Sequence, residues 1–216
     1  MCRFLMIQAD SQFKPTDFLT DFAERCKESA EWQGDGWGVC WLNSECEWQS
    51  YKSLKPIWED PDKFSEIPKS RTFLVHARSS SFEAHKGRIE FNQPFTSGRL
   101  AFVFNGLIKG VNGLQVEGQI GSQKIFNLIC NFYEEEKNVE SAIETVKNLI
   151  MAKSKEITAL NIGICNQERL YALCFFSSQE DYYTLFYKNS SIKIISSVQL
   201  SNCGLLPLKK DQLIVL

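Results

Sequence analysis

The chain has 216 residues, a hydrophobic fraction of 44% and a formal net charge of −2. That suits one domain with an ordinary core, and it excludes a globally basic surface for nucleic acid or an anionic membrane. The eight cysteines include no Cys-x-x-Cys pair, and the only histidines are His76 and His85, a poor donor set for structural zinc. No signal-peptide pattern and no apolar run long enough to span a bilayer is present. The thiols are therefore expected to be mostly buried and reduced in a cytoplasmic protein, with Cys130, Cys165 and Cys174 acting as small hydrophobes.

In chain order, Arg3 to Gln8 reads as a strand and Asp10-Ser11 as a turn. Thr16 or Asp17 caps a helix with apolar positions Phe18, Leu19, Phe22, Ala23 and Cys26. Gln33 to Gly36 is a turn, Trp37 to Leu42 a strand, and Glu47 to Leu54 its hairpin partner. Pro56 to Pro68 is a loop with one helical turn. Arg71 to Ala77 is a strand, followed by a polar loop through Asn92. Leu100 to Phe104 is a buried strand ending at Asn105-Gly106. Ser122 caps a helix running through Phe132, and Val139 to Met151 forms another. The tail supplies strands at Ala159–Cys165, Arg169–Phe176, Tyr183–Lys188, Ile192–Ser196 and Gln212–Val215. Strands at both ends and two helices between them suggest two packed sheets covered by helices, an α+β fold.

Four short stretches carry chemistry. In Met1-Cys2-Arg3, a small residue after the initiator permits methionine removal. The chain would then begin with a thiol and a free amine on one residue, and an amine of pKa about 7.7–8.0 can activate a thiol near 8.5. In Asp35-Gly36-Trp37-Gly38, glycines flanking an aromatic at a strand entrance permit close backbone approach. Arg78 of His76-Ala77-Arg78 stands at the end of an apolar strand, where a guanidinium is costly to bury without an anion to grip. Asn105-Gly106 offers a side-chain amide and a backbone N–H at one point, the donors of an oxyanion hole. Each stretch alone reads as ordinary structure: a chance Met-Cys, a tight turn, a salt bridge, a hairpin turn.

Taken in order, with Asn92 to Phe95 (Asn-x-Pro-Phe) between the last two, these motifs resemble the class-II glutamine amidotransferase domain of the N-terminal-nucleophile hydrolases. The likeness is nearest to small stand-alone members, which include γ-glutamyl hydrolases of modified peptides. It implies a single domain over residues 1–216, active once Met1 is removed, folded as a four-layer α/β/β/α sandwich. It implies hydrolysis of a γ-glutamyl amide, glutamine or a γ-glutamyl compound, with Cys2 as nucleophile and base and Asn105 and Gly106 as oxyanion hole. Arg78 would hold the substrate carboxylate with Ser81 assisting, and Gly36 and Trp37 would border the substrate. No metal or cofactor is implied. The partner is a small γ-glutamyl molecule, together with any ammonia-accepting or peptidase protein, and neither nucleic acid nor membrane.

The chain departs from the family at Gln93, where a histidine is usual, at Ile120-Gly121-Ser122-Gln123, where Gly121 replaces an aspartate that pairs with the substrate ammonium, and at Ser196 to Gln199. A catalytically degenerate member that binds a ligand or protein is the alternative reading.

Overall fold

Alternation along the strands sorts the apolar side chains into layers. The computed structural model describes residues 1–216. β1 (Arg3–Phe13) leads to α1 (Thr16–Lys27), the hairpin β2 (Trp37–Leu42) and β3 (Trp48–Ser53), the short helix α2 (Asp62–Glu66) and β4 (Ser70–Ala77). A second hairpin follows, β5 (Phe95–Ser97) and β6 (Leu100–Lys109), then the helices α3 (Gly121–Glu136) and α4 (Val139–Lys153). The tail contains β7 (Glu156–Cys165), β8 (Leu170–Cys174), the helical turn α5 (Glu180–Tyr183), β9 (Phe186–Lys188), β10 (Ile192–Ser196), β11 (Leu206–Pro207) and β12 (Gln212–Val215).

One sheet has seven strands in the order β11-β9-β10-β1-β4-β2-β3, the other five in the order β12-β8-β7-β6-β5. Every pairing in both is antiparallel. Phe4 and Met6 of β1, Leu74 of β4, and Ala101 and Val103 of β6 meet between the sheets. Leu5 and Ile7, one residue out of phase, face the opposite way, against Leu19, Phe22 and Cys26 of α1 and Phe64 of α2. Phe102 and Phe104 of β6 likewise turn outward against Ile125, Phe126 and Ile129 of α3 and Ile143 and Val146 of α4. The architecture is the expected four-layer sandwich, helices outside and two sheets inside.

Several local expectations are corrected. β1 does not turn at Asp10-Ser11 but continues to Phe13, and its register against β4 shifts between Gln8 and Phe13, so an irregularity absorbs the turn-forming residues. β6 does not end at Asn105-Gly106: Asn105 lies opposite Asn161 and Gly106 opposite Leu160, because pairing with β7 overrides the local turn preference. The hairpin turn is made instead at Gly98, whose φ is +52°. The span expected as a strand from Tyr183 begins with α5, leaving β9 only Phe186–Lys188. Pro15 precedes α1 at the cap position, in place of Thr16 or Asp17, and makes no side-chain cap bond. At α3, Ile120 takes the cap position expected for Ser122, and the Gln123 side chain reaches back to accept from the N–H groups of Gln119 (2.9 Å) and Ile120 (3.4 Å).

The eight cysteines are all free: Cys26, Cys40, Cys165 and Cys174 are buried, Cys2, Cys130 and Cys203 half-buried and Cys46 exposed. No helix is long and apolar enough to cross a membrane.

Candidate active site

The parity that puts Phe4 and Met6 between the sheets also aims Cys2 there. On β4, Leu74 sets the same phase for His76 and, just past the strand end, Arg78; on β6, Asn105 shares the phase of Ala101 and Val103, while Phe104, Gly106 and Ile108 have the opposite one. These side chains come from strands distant in sequence and converge at one end of the inter-sheet layer. A cavity of about 200 Å³ opens there, and Cys2, His76, Arg78, Ser81, Gln93 and Gly106 are among the residues that line it. Its far wall is apolar, built from Phe104, Leu107, Ile108, Ile120 and Ile125.

Arg78 is buried, at 5% exposure, and no salt bridge in the protein engages it. Its guanidinium donates to the His85 carbonyl at 2.6 Å, to Asn92 Oδ1 at 3.4 Å and to Ser80 Oγ at 3.5 Å. These neutral acceptors orient the fork without neutralising it. A buried cation on a cavity wall with no carboxylate in salt-bridge range can accept an anion from the cavity.

The start of the chain is held as firmly. Arg3 donates to the carbonyls of Tyr182 (2.7 Å) and Ser197 (2.9 Å), and its guanidinium lies 3.6 Å from the Tyr182 ring centroid. The Cys2 thiol accepts from the Ser79 N–H at 3.4 Å. Burial raises this thiol above its ordinary pKa, while the Ser79 N–H, the terminal ammonium and Arg78 act in the opposite direction. Met1 packs into the inter-sheet layer, its ammonium paired with Glu31 and 3.2 Å from Ser79 Oγ, its carbonyl accepting from the Tyr182 hydroxyl at 2.8 Å. Its thioether sulfur lies 3.9 Å from Ser81 Oγ.

Asn105 is fully buried, and neither its amide nitrogen nor its oxygen has a hydrogen-bond partner. Leaving a buried polar group unsatisfied costs about 1–3 kcal/mol, a cost that persists where a ligand completes the pairing. Asn105 itself stands one position behind the cavity wall, which Gly106 forms directly.

Gly36 and Trp37, expected to border the substrate, do not line the cavity. Trp37 has the opposite parity: it is buried beneath the outer helices, its indole N–H donates to Asp60 at 3.1 Å, and its ring packs on Phe64. Gly36 braces Arg78 from behind. Its φ of +115° and an Asn92 Nδ2 only 2.4 Å from where a β-carbon would sit exclude other residues, and its carbonyl accepts from the Arg78 N–H at 2.8 Å. Asp35, next to it, accepts from the Ser80 N–H at 2.7 Å and so fixes the loop beyond Arg78.

Sequence reasoning did not single out His76, Gln93 or Asn92 as site residues. Gln93 Oε1 accepts from the Phe104 N–H at 2.6 Å, tying the loop to β6 beside Asn105. Asn92 donates to the Ser53 carbonyl at 2.7 Å while holding Arg78. The available signal was the Asn-x-Pro-Phe run itself, polar residues placed just before a strand.

No protein-family model matches this chain, and no curated protein does. Solved structures do. A glutamine aminotransferase class-II domain protein from Silicibacter pomeroyi superposes with a TM-score of 0.67 at 17% identity, over 99% of this chain and 94% of that one. Glutamine phosphoribosylpyrophosphate amidotransferase from B. subtilis gives 0.64 at 15% identity, over 99% of this chain and 47% of that longer one. A "predicted glutamine amidotransferase" from Pseudomonas aeruginosa gives 0.59 at 12% identity, covering 99% and 96%. The chain therefore has the fold of class-II glutamine amidotransferase domains, the sandwich of the N-terminal-nucleophile hydrolases.

Proposed function

We propose that this protein is an amidohydrolase of the class-II glutamine amidotransferase type, cleaving a γ-glutamyl amide through Cys2 once Met1 has been removed. The observation that carries the reading is one cavity lined by the Cys2 thiol, the Arg78 guanidinium and Gly106, with the unsatisfied Asn105 amide on the neighbouring residue of β6.

In this reading Arg78 grips the substrate carboxylate, with the Ser81 hydroxyl beside it. The free amine of Cys2 takes the thiol proton, directly or through water. The sulfur attacks the amide carbon, a C–S bond forms, and the carbonyl electron pair moves to an oxyanion held by Asn105 and Gly106. Collapse breaks the C–N bond, and the leaving amine takes the proton from the Cys2 ammonium. Water then cleaves the thioester, releasing the carboxylic acid and restoring the thiol.

The test starts with the intact mass of the purified protein, to select chains that begin at Cys2. Cys2→Ala should abolish amide hydrolysis with the thermal midpoint nearly unchanged. Arg78→Lys should raise KM about ten- to a hundredfold, since an ammonium cannot reproduce the planar fork. Full activity in Cys2→Ala would sink the reading, and unchanged kcat/KM in Arg78→Lys would make Arg78 structural.

A further inference from the structure

The cavity has an unbalanced set of charges. Arg78 is the only lysine or arginine on its wall, and no aspartate or glutamate lines it. Three nearby carboxylates are committed elsewhere: Asp35 to the Ser80 N–H at 2.7 Å, Glu83 to Lys86 at 2.9 Å and Glu90 to Arg88 at 2.7 Å; Glu31, which pairs with the Met1 ammonium and is released when Met1 is removed, does not line the cavity. Glu117 is exposed and borders a separate surface depression shared with Asn127. The wall that includes Leu107, Ile108, Ile120 and Ile125 is aliphatic.

Free glutamine brings two charges into such a site. Its carboxylate can meet Arg78, but its ammonium would lose water with no carboxylate to replace it, and an unpaired buried charge is strongly disfavoured. Resting on the amidohydrolase reading, we propose that the substrate is an ω-monoamide of a dicarboxylic acid that carries no free α-ammonium, either unsubstituted at that carbon, as in glutaramate, or N-acylated, as in N-acetyl-L-glutamine. The aliphatic wall accommodates the uncharged α-carbon or its acyl group, and Arg78 supplies the single ionic contact.

Gly121 allows the complementary change. It lies on the cavity wall in the first turn of α3, a β-carbon there meets no atom within 4 Å, and its backbone is outside the left-handed region. An aspartate at a helix N-terminus is also favourable for the helix.

The experiment compares glutaramate, N-acetyl-L-glutamine and L-glutamine as substrates of the chain beginning at Cys2, and measures their binding to Cys2→Ala by calorimetry. At least one of the first two should exceed glutamine in kcat/KM by about ten- to a hundredfold, the range for one charge-assisted contact, and bind Cys2→Ala more tightly by a similar factor. Preference for glutaramate or for the acylated compound decides between the two forms. Gly121→Asp should move the preference toward glutamine by at least about tenfold. Glutamine equal or superior in rate and binding, no binding of any of the three, or a folded Gly121→Asp with unchanged preference each overturns the proposal. Failure of the Cys2 chain to hydrolyse any amide overturns the amidohydrolase reading instead, and the binding order in Cys2→Ala still decides this one.

Discussion

His76 is fully buried on the cavity wall with neither ring nitrogen hydrogen-bonded. Burial, reinforced by the charge of Arg78, pushes its pKa down to about 3. It is therefore a neutral imidazole at pH 7, unable to donate as an imidazolium, which in the proposed reaction leaves proton transfer to Cys2. An unfolded histidine titrates near about 6.5. Because the folded value is depressed, the unfolded chain takes up a proton between about pH 6.5 and pH 3 that the native chain refuses. His76 accordingly makes stability fall as pH drops through that window, by up to about 1.4 kcal/mol per unit, and contributes no slope above it. His76→Asn should show a shallower loss of urea-unfolding free energy from pH 7 to pH 5 than the parent; identical slopes would mean that His76 titrates normally. The thiols divide in the same way. Burial pushes Cys165 up to about 12 and Cys174 to about 11, and raises Cys26 and Cys40 further, so none of these should alkylate in the native protein. Cys46 is exposed, so iodoacetamide mapping of Cys2 belongs in a Cys46→Ser background. There Cys2 should label first in the chain that lacks Met1, and an inert Cys2 would count against its role.

At the scale of the element, β6 carries two adjacent residues whose substitutions should separate structure from chemistry. A β-carbon on Gly106 would lie 2.3 Å from the Ala159 carbonyl oxygen and 2.7 Å from the Phe104 ring, so Gly106→Ala should cost about 1–3 kcal/mol of stability through overpacking. Asn105→Ala breaks no hydrogen bond, since the native amide makes none. It should leave the thermal midpoint close to the parent's while lowering kcat about 10²- to 10³-fold, the cost of losing one oxyanion donor. If Asn105→Ala unfolds the protein and Gly106→Ala does not, the assignment of these positions is reversed. The Asn-Gly pair was visible in the sequence, but its place in mid-strand was not. A hairpin turn is the ordinary outcome of that dipeptide, and only pairing with β7 holds it extended.

For the whole molecule, the two sheets meet in a layer that is apolar along most of its length and open at the end where β1 begins. Met1 packs into that end at 9% exposure, as part of the inter-sheet core. Removing it frees the Cys2 amine and gives up buried apolar surface. The species that keeps Met1 should therefore be more stable, by about 1.5–3 kcal/mol on the scale of a buried methionine, and inactive. Thermal unfolding and amide hydrolysis of the two mass species check this together; equal activity in both would remove the amine from the mechanism.

Local patterning by itself determined β2, β10 and β12 to the residue, because short runs rich in β-branched, aromatic and other apolar residues, bounded by turn formers, need no distant information. The order of the short motifs likewise pointed to Cys2, Arg78, Ser81 and Gly106, all of which border one cavity. Tertiary structure alone decided which way neighbouring residues face. Trp37 turns beneath the outer helices while Gly36 braces Arg78, the Asn105 amide is left unpaired, and no carboxylate reaches the aliphatic wall. A strand exposes its two faces alternately, so which face becomes the cavity is set by the register between strands far apart in sequence and by the packing of one sheet on the other. Neither is written in any local stretch of the chain.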